Sequence, residues 1–291
     1  MFPKHVKSWP VALVVFVSLM FGGCAFKRLI YDRLDWFTMY QIDSYLDLSR
    51  EQKIKFKPAV SEAIAWLKKE KVPTAITLIG KFEEGAKAHR YDETMNKAFT
   101  AELDRARIDL ITKFERPIVE MLSSLSSDQL QHLRKKMKKG NEDLEEVLEE
   151  KTDKAIEDEY ETILTKKQLK VVNEWYGDLD KAQTEYFYKT MRLNKAQIQS
   201  KLTERKRMQE FLANTLESRD PTKIRAMVET FRDKGEVWQD PAYLKYRQAG
   251  EERWDHYLKG LSASLSAEQW THLGTKLKDM RLELEHMIGR E

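Results

Sequence analysis

Apolar residues return every three or four positions through most of this chain, the pattern of an α-helix with one buried face. Residues 31–46 carry Trp36, Met39, Tyr40 and Leu46 at that spacing, with Asp43 as a polar interruption. Ile54, Val60, Ile64 and Leu67 predict a helix over 50–70. Val72-Pro73 interrupts it, because proline has no amide proton and disfavours helix in the residue before it. A shorter helix is expected to reach Ala88. Phe99, Leu103, Ile108, Ile111 and Phe114 predict a further helix over 93–122, kinked at Pro117. The longest pattern covers 166–217 through Leu169, Val172, Tyr176, Leu179, Tyr186, Leu193, Leu202, Phe211 and Leu212, with no proline. One helix of about fifty residues measures on the order of 75 Å, longer than a compact domain of this mass, so the molecule is expected to be elongated. Asp220-Pro221 and Asp240-Pro241 each supply an acceptor cap followed by proline at the first helical position, and predict helices over 221–234 and 241–261 before a last one at 267–288. No stretch of period two survives inspection. The predicted fold is all-α, an elongated multi-helix bundle or cradle of antiparallel helices.

Helix starts are written in a recurring phrase. It occurs as Leu48-Ser49-Arg50-Glu51-Gln52, Leu125-Ser126-Ser127-Asp128-Gln129, Leu164-Thr165-Lys166-Lys167-Gln168 and Leu265-Ser266-Ala267-Glu268-Gln269. The Ser or Thr accepts from the amide three residues on, and the Gln reaches back to the cap amide, which makes a capping box. The leading Leu is placed to staple onto Leu130, Leu169 and Trp270 in the last three copies, whereas the first has Lys53 there. Ser124 to Leu133 also aligns with Ser264 to Leu273, bringing His132 and His272 into register, and Lys136 and Lys138 match Lys276 and Lys278. This likeness is read as an internal duplication, with a first helical half at 36–150 and a second at 151–291 forming one continuous structure.

Charge changes the picture little. Lys and Arg number 51 against 48 Asp and Glu, and Lys4 and Lys7 fall in a segment expected to be removed. A near-neutral remainder offers no global attraction for nucleic acid, so no nucleic-acid partner is expected. The basic run Arg134 to Lys139 and the acidic stretch Glu142 to Glu161 are expected to be solvated helix faces. Trp36, Tyr40 and Tyr45 are expected to pack into the core, in preference to an aromatic belt resting on lipid headgroups.

Catalytic and metal signatures are absent. No two of the six histidines lie three or four residues apart, and the single cysteine leaves no zinc-ligand spacing. Neither Gly-x-Ser-x-Gly nor His-Glu-x-x-His occurs. His132 and His272 are read as surface residues inherited with the repeat. Gly80, Gly85 and Lys87 only miss a phosphate loop, since Ala86 stands where the lysine belongs. No cofactor, no metal and no enzymatic activity are expected. The scattered methionines read as core filler.

The amino terminus reads as a targeting segment. Lys4, His5 and Lys7 precede the apolar run Val11 to Phe21, too short to span a bilayer comfortably, and Gly22-Gly23-Cys24 follows at once. Residues 1–23 resemble a bacterial lipoprotein signal peptide with its lipobox. On that resemblance Cys24 is the acylated first residue and the membrane partner, and residues 24–35 form a tether. Its dozen or so residues span at most roughly 40 Å. Ala25, in place of an Asp that resembles an inner-membrane retention signal, points to the periplasmic face of the outer membrane.

The order Cys24, Tyr31-x-x-x-Asp35-Trp36, Ile42-Asp43-x-Tyr45 and Leu48-x-x-x-Gln52 resembles a family of Gram-negative lipoproteins of unknown function. The Leu-Ser/Thr-x-x-Gln phrases separately resemble the Leu-Thr-x-x-Gln signature of Spy-type periplasmic chaperones, small all-helical cradles that work without ATP. These resemblances imply a non-catalytic binding role, chaperone-like toward unfolded envelope proteins. The alternative is a structural adaptor that docks one folded envelope partner, and a remote one is an enzyme with an unrecognised carboxylate site.

Overall fold

The computed structural model describes residues 33–150, 152–233 and 240–289. Cys24, the signal segment and most of the expected tether lie outside the described residues. The described chain is all-helical: α1 (Leu34–Leu46), α2 (Arg50–Glu70), α3 (Val72–Lys87), α4 (Glu93–Ser123), α5 (Ser127–Leu148), α6 (Asp153–Tyr160), a π-turn (Glu161–Thr165), α7 (Lys166–Tyr176), α8 (Lys181–Met191), α9 (Lys195–Glu217), α10 (Pro221–Arg232), α11 (Pro241–Ser262) and α12 (Ala267–Met287). No strand occurs among the described residues. The π-turn is a local distortion and not a separate element.

The fifty-residue helix predicted over 166–217 is not formed. It is three helices, and the longest helix of the fold is instead the 31-residue α4. Two breaks that contain no proline divide it. Gly177 leaves α7 at φ +80°, a backbone angle that costs an L side chain energy, and Asp180 then caps α8 with Gln183 in a full capping box. Asn194 caps α9 with Gln197 in the same way. The argument for elongation from that helix is withdrawn with it, while the multi-helix bundle itself stands. Within α4, Pro117 acts as predicted, but the distortion lands three residues earlier, at Phe114 (φ −108°, ψ 17°). There the chain avoids the proline ring's clash with the preceding turn.

Ser49, Ser126 and Ser266 are capping boxes, as their phrases predict. Leu164-Thr165-x-x-Gln168 is not. Thr165 has helical angles, is buried and caps nothing, because the chain is already helical through α6 and the π-turn and no extended residue turns the side chain toward the N3 amide. Leu125 with Leu130, and Leu265 with Trp270, share clusters as stapled pairs should. Ile54 is exposed, so the first box has no staple.

The core is a series of clusters. In one, Leu46, Val119 and Leu130 of the first half pack with Leu216, Ile224 and Met227 of the second. Another joins Ile76, Ile79 and Ala86 of α3 to Trp270, Leu277 and Leu284 of α12. A third joins Val147 and Ile156 to Ile198 and Leu202. Each of these three takes side chains from both sides of residue 150. A fourth, around Phe187, Tyr257 and Leu261, belongs to the second half alone. The acidic stretch is not merely solvated. Asp143 pairs with Lys167, Glu145 with Lys206, Asp153 with Lys195, and Asp158 with Arg192.

Candidate binding groove

The α2–α3 break positions a site with room for an apolar group among the described residues. Because Val72-Pro73 restarts the helix, α3 turns away from α2, and α4 crosses both. Between α1, α2, α3, α4 and α12 lies a partly open groove of about 100 Å³, floored by Leu67, Leu78, Phe99, Leu103, Leu110 and Met287. An apolar void of 150 Å³ takes up benzene, whereas small-molecule sites run from about 300 Å³. The groove is therefore sized for one large apolar side chain or a stretch of hydrocarbon, not for a cofactor.

Charged groups stand at its rim and face one another. Lys71 pairs with Asp109 and lies 5.5 Å from the centre of the Trp66 ring. Arg107 bonds Asp104 at 2.9 Å and donates to the carbonyls of Phe231 and Arg232 at 2.6 Å. Glu102 bonds Arg105 at 3.1 Å. No histidine is among its lining residues, and its lining carboxylate, Glu102, is paired with a cation. The groove can desolvate a hydrocarbon group, and that is its chemistry. No cluster of metal-ligating residues occurs among the described residues.

Beneath α12 the two halves are clamped by a buried ion pair. Arg281 Nε lies 3.0 Å from Glu83 Oε2, and Lys87 reaches the other carboxylate oxygen at 2.7 Å. The Lys87 hydrogen bond, then Arg281, hold the Glu83 carboxyl below its usual range against the opposing effect of burial. Gly80 and Gly85, the near-miss to a phosphate loop, are both inside α3, and Arg281 Cδ would sit 3.8 Å from a Cβ at Gly80.

The capping glutamines form a second constellation. Gln52 and Gln129 exchange amide hydrogen bonds at 3.2 and 2.7 Å, and each also donates to the loop before the other's helix, Gln52 to Ser124 O and Gln129 to Asp47 O. Gln183 and Gln269 repeat the arrangement with Ser264 O and Asp178 O. The histidines follow suit, His132 to the carbonyl of Ser44 and His272 to that of Glu174, so they are half-buried tethers between helices and not free surface residues. The partner of the first phrase is thus Leu179-Asp180-Lys181-Ala182-Gln183. Its cap is an Asp where the other phrases carry Ser or Thr, so it falls outside the Leu-Ser/Thr-x-x-Gln pattern.

Trp36 and Tyr40, expected in the core, are instead exposed at 60% and 55%, while Tyr45 packs against the first cluster as expected. The buried stripe of α1 runs through Leu34, Thr38 and Leu46, and Trp36 and Tyr40 fall off it.

A family model described as a family of unknown function (DUF6279) matches residues 44–244, more than half of the chain. No curated protein and no solved structure matches it.

Proposed function

We propose a function for this chain on the premise that it belongs to the DUF6279 family, whose description assigns no activity. The reading is a lipid-anchored, non-catalytic binding protein of the Gram-negative envelope, tethered through Cys24 at the periplasmic face of the outer membrane. It holds apolar side chains of unfolded or partly folded envelope proteins. The observation that carries this reading is the groove: apolar on its floor, ringed by charge, and of the volume of a single large side chain. Such a site fits exposed Leu, Met or Phe side chains of many sequences, since its recognition is hydrophobic burial with a polar rim to keep it soluble when empty. No described helix is long and apolar enough to cross a membrane, so attachment under this reading falls to the acylated amino terminus.

The test is a photo-cross-linking residue placed at Leu103, inside the groove, and at Lys223 on exposed α10, each in the full-length protein in cells. The reading expects several envelope proteins to be captured from position 103 and none from 223. Capture of one stoichiometric partner from 103 supports the adaptor alternative instead. An absence of adducts from 103 removes the groove as a binding site. Mass spectrometry of the native amino terminus decides the anchor separately: diacyl or triacyl groups on Cys24 are expected, and an intact residue 1 overturns it.

A further inference from the structure

Among the described residues the exposed large hydrophobic side chains are concentrated in one stretch. They are Trp36, Tyr40, Ile54 and Leu282, and three of these four fall within the first two described helices. Trp36 and Tyr40 are one turn apart on α1, and their rings stack with centroids 5.7 Å apart at 14°. Residues at that spacing share a helix face, so the pair forms one plate turned away from the buried stripe of α1. These two side chains differ in kind from the Leu and Phe that fill the groove. Each combines an apolar ring with a polar tip, the combination enriched where hydrocarbon meets water at the bilayer interface.

The charges around them are mixed and nearly balanced, so the position of the plate and not its charge argues for a lipid surface. Asp35 accepts from Ser61, Asp43 pairs with Lys53 and accepts from the Leu48 amide, and Glu51 accepts from the Ser49 hydroxyl. Arg33, Arg50 and Lys57 stand exposed along this stretch, and so do the acids Asp47, Glu62 and Glu70. The plate also lies at the chain's point of entry. Eight residues lie between Cys24 and Arg33, so the two are at most roughly 32 Å apart. A body held by an acyl group at Cys24 cannot carry α1 far from the headgroups.

We infer that the Trp36–Tyr40 face of α1 seats in the headgroup layer of the bilayer, docking the body in one orientation instead of leaving it to swing on its tether. The inference rests on the proposed anchor at Cys24. It adds that the protein reads the lipid surface directly, with a face of α1 other than the buried stripe on which Leu34 lines the groove.

An acylated Cys24 leaves no free thiol, so Tyr40→Cys and Leu282→Cys each introduce a single site for a nitroxide label. Both positions are exposed, and unchanged helicity by circular dichroism confirms the fold. The full-length acylated protein is compared in detergent and in phosphatidylethanolamine–phosphatidylglycerol vesicles for label accessibility to oxygen and to an aqueous nickel chelate. On reconstitution the label at 40 is expected to lose nickel accessibility several-fold and gain oxygen accessibility, while the label at 282 stays aqueous. If the protein floats with the vesicles and the label at 40 is as aqueous as that at 282, the inference is overturned and the anchor stands. Spin–spin broadening at 40 that grows with protein density would assign the face to a second copy, which also overturns it. If the native protein carries no acyl group and fails to float, the anchor reading falls and takes this inference with it.

Discussion

The side-chain amides of Gln183 and Gln269 hold each other in a two-way clasp, each donating to the other's carbonyl oxygen at 2.9 and 2.8 Å. Each oxygen also accepts from its own cap amide, Asp180 N and Ser266 N, and each nitrogen's second proton goes to a loop carbonyl. Both glutamines therefore use their two donors and two acceptor positions in full. The clasp joins the amino-terminal ends of α8 and α12, whose positive dipole ends would otherwise repel.

Removing one glutamine strands the other. Gln183 is 3% exposed, so Gln183→Ala is expected to destabilise by about 2–4 kcal/mol, the sum of a lost cap and an unsatisfied partner. Gln269→Ala, at the more exposed end, is expected to cost less. In a double-mutant cycle read by urea denaturation the two should couple, where independent caps would add. Gln168→Ala supplies the control. It has the same phrase but no cap, and is expected to stay within about 0.5 kcal/mol of the parent.

Gly260 and Gly250 share α11, yet alanine should act on them with opposite sign. A Cβ at Gly250 meets nothing within 4 Å, so Gly250→Ala is expected to stabilise by about 0.8–1 kcal/mol through helix propensity. A Cβ at Gly260 would lie 2.1 Å from the Tyr186 hydroxyl and 2.6 Å from its ring. That ring stacks on buried Tyr257 and its hydroxyl donates to His256 O at 3.2 Å, so it cannot swing aside cheaply. Gly260→Ala is expected to destabilise by about 1–3 kcal/mol, as overpacking does, and to lower Tm where Gly250→Ala raises it.

These elements show what the sequence made legible. Most helix bounds followed from apolar spacing and proline, because both act within a few residues of where they are written. Leu164-Thr165 misled because a capping phrase works only where the backbone is already extended, and the helix there arrives from upstream. Gly177-Asp178-Leu179-Asp180 held the missing break, legible to a search that admits Asp and Asn as caps. Trp36 and Tyr40 were misplaced for a different reason. Aromatic content says that a residue is able to be buried, and only the position of Leu34 and Thr38 on the same helix decides which face is. The groove was not legible at all, since Leu67, Phe99 and Met287 come together only through the packing of helices distant in sequence.

Glu83 and Arg281 give a pH-dependent test of how α3 and α12 are held. The carboxyl is depressed in the fold, so the unfolded chain binds its proton at higher pH. Its contribution is complete above the ordinary carboxylate range and is lost as pH falls through the folded value. Arg281→Met leaves a carboxylate whose side chain is only 6% exposed with Lys87 alone, and is expected to cost about 1–3 kcal/mol at neutral pH. The Glu83-linked loss of stability on acidification should begin in the same ordinary carboxylate range in both proteins, but be smaller and complete at higher pH in the variant, because the Glu83 pKa rises toward its usual value. The deficit should narrow once Glu83 is protonated in both proteins. Urea midpoints measured from neutral pH down through the carboxylate range check both statements.

Filling and enlarging the groove should move binding and stability in opposite directions. Ala106 lines it, and Ala106→Phe places a ring in the space of about 100 Å³. That change is expected to abolish uptake of xenon, an apolar probe small enough for the space, and to leave Tm unchanged or raised, since a filled void gains apolar burial worth about 25 cal/mol per Å². Phe99→Ala removes a ring that also meets Phe82 edge-on at 5.8 Å, and so lengthens the groove at the expense of packing. It is expected to lower Tm and to strengthen xenon binding. A probe that merely coats exposed hydrophobic surface would ignore Ala106→Phe and follow Trp36→Ala instead. Xenon titrations of the three variants, read by xenon NMR, therefore separate a shaped site lined by α3 and α4 from adsorption at α1.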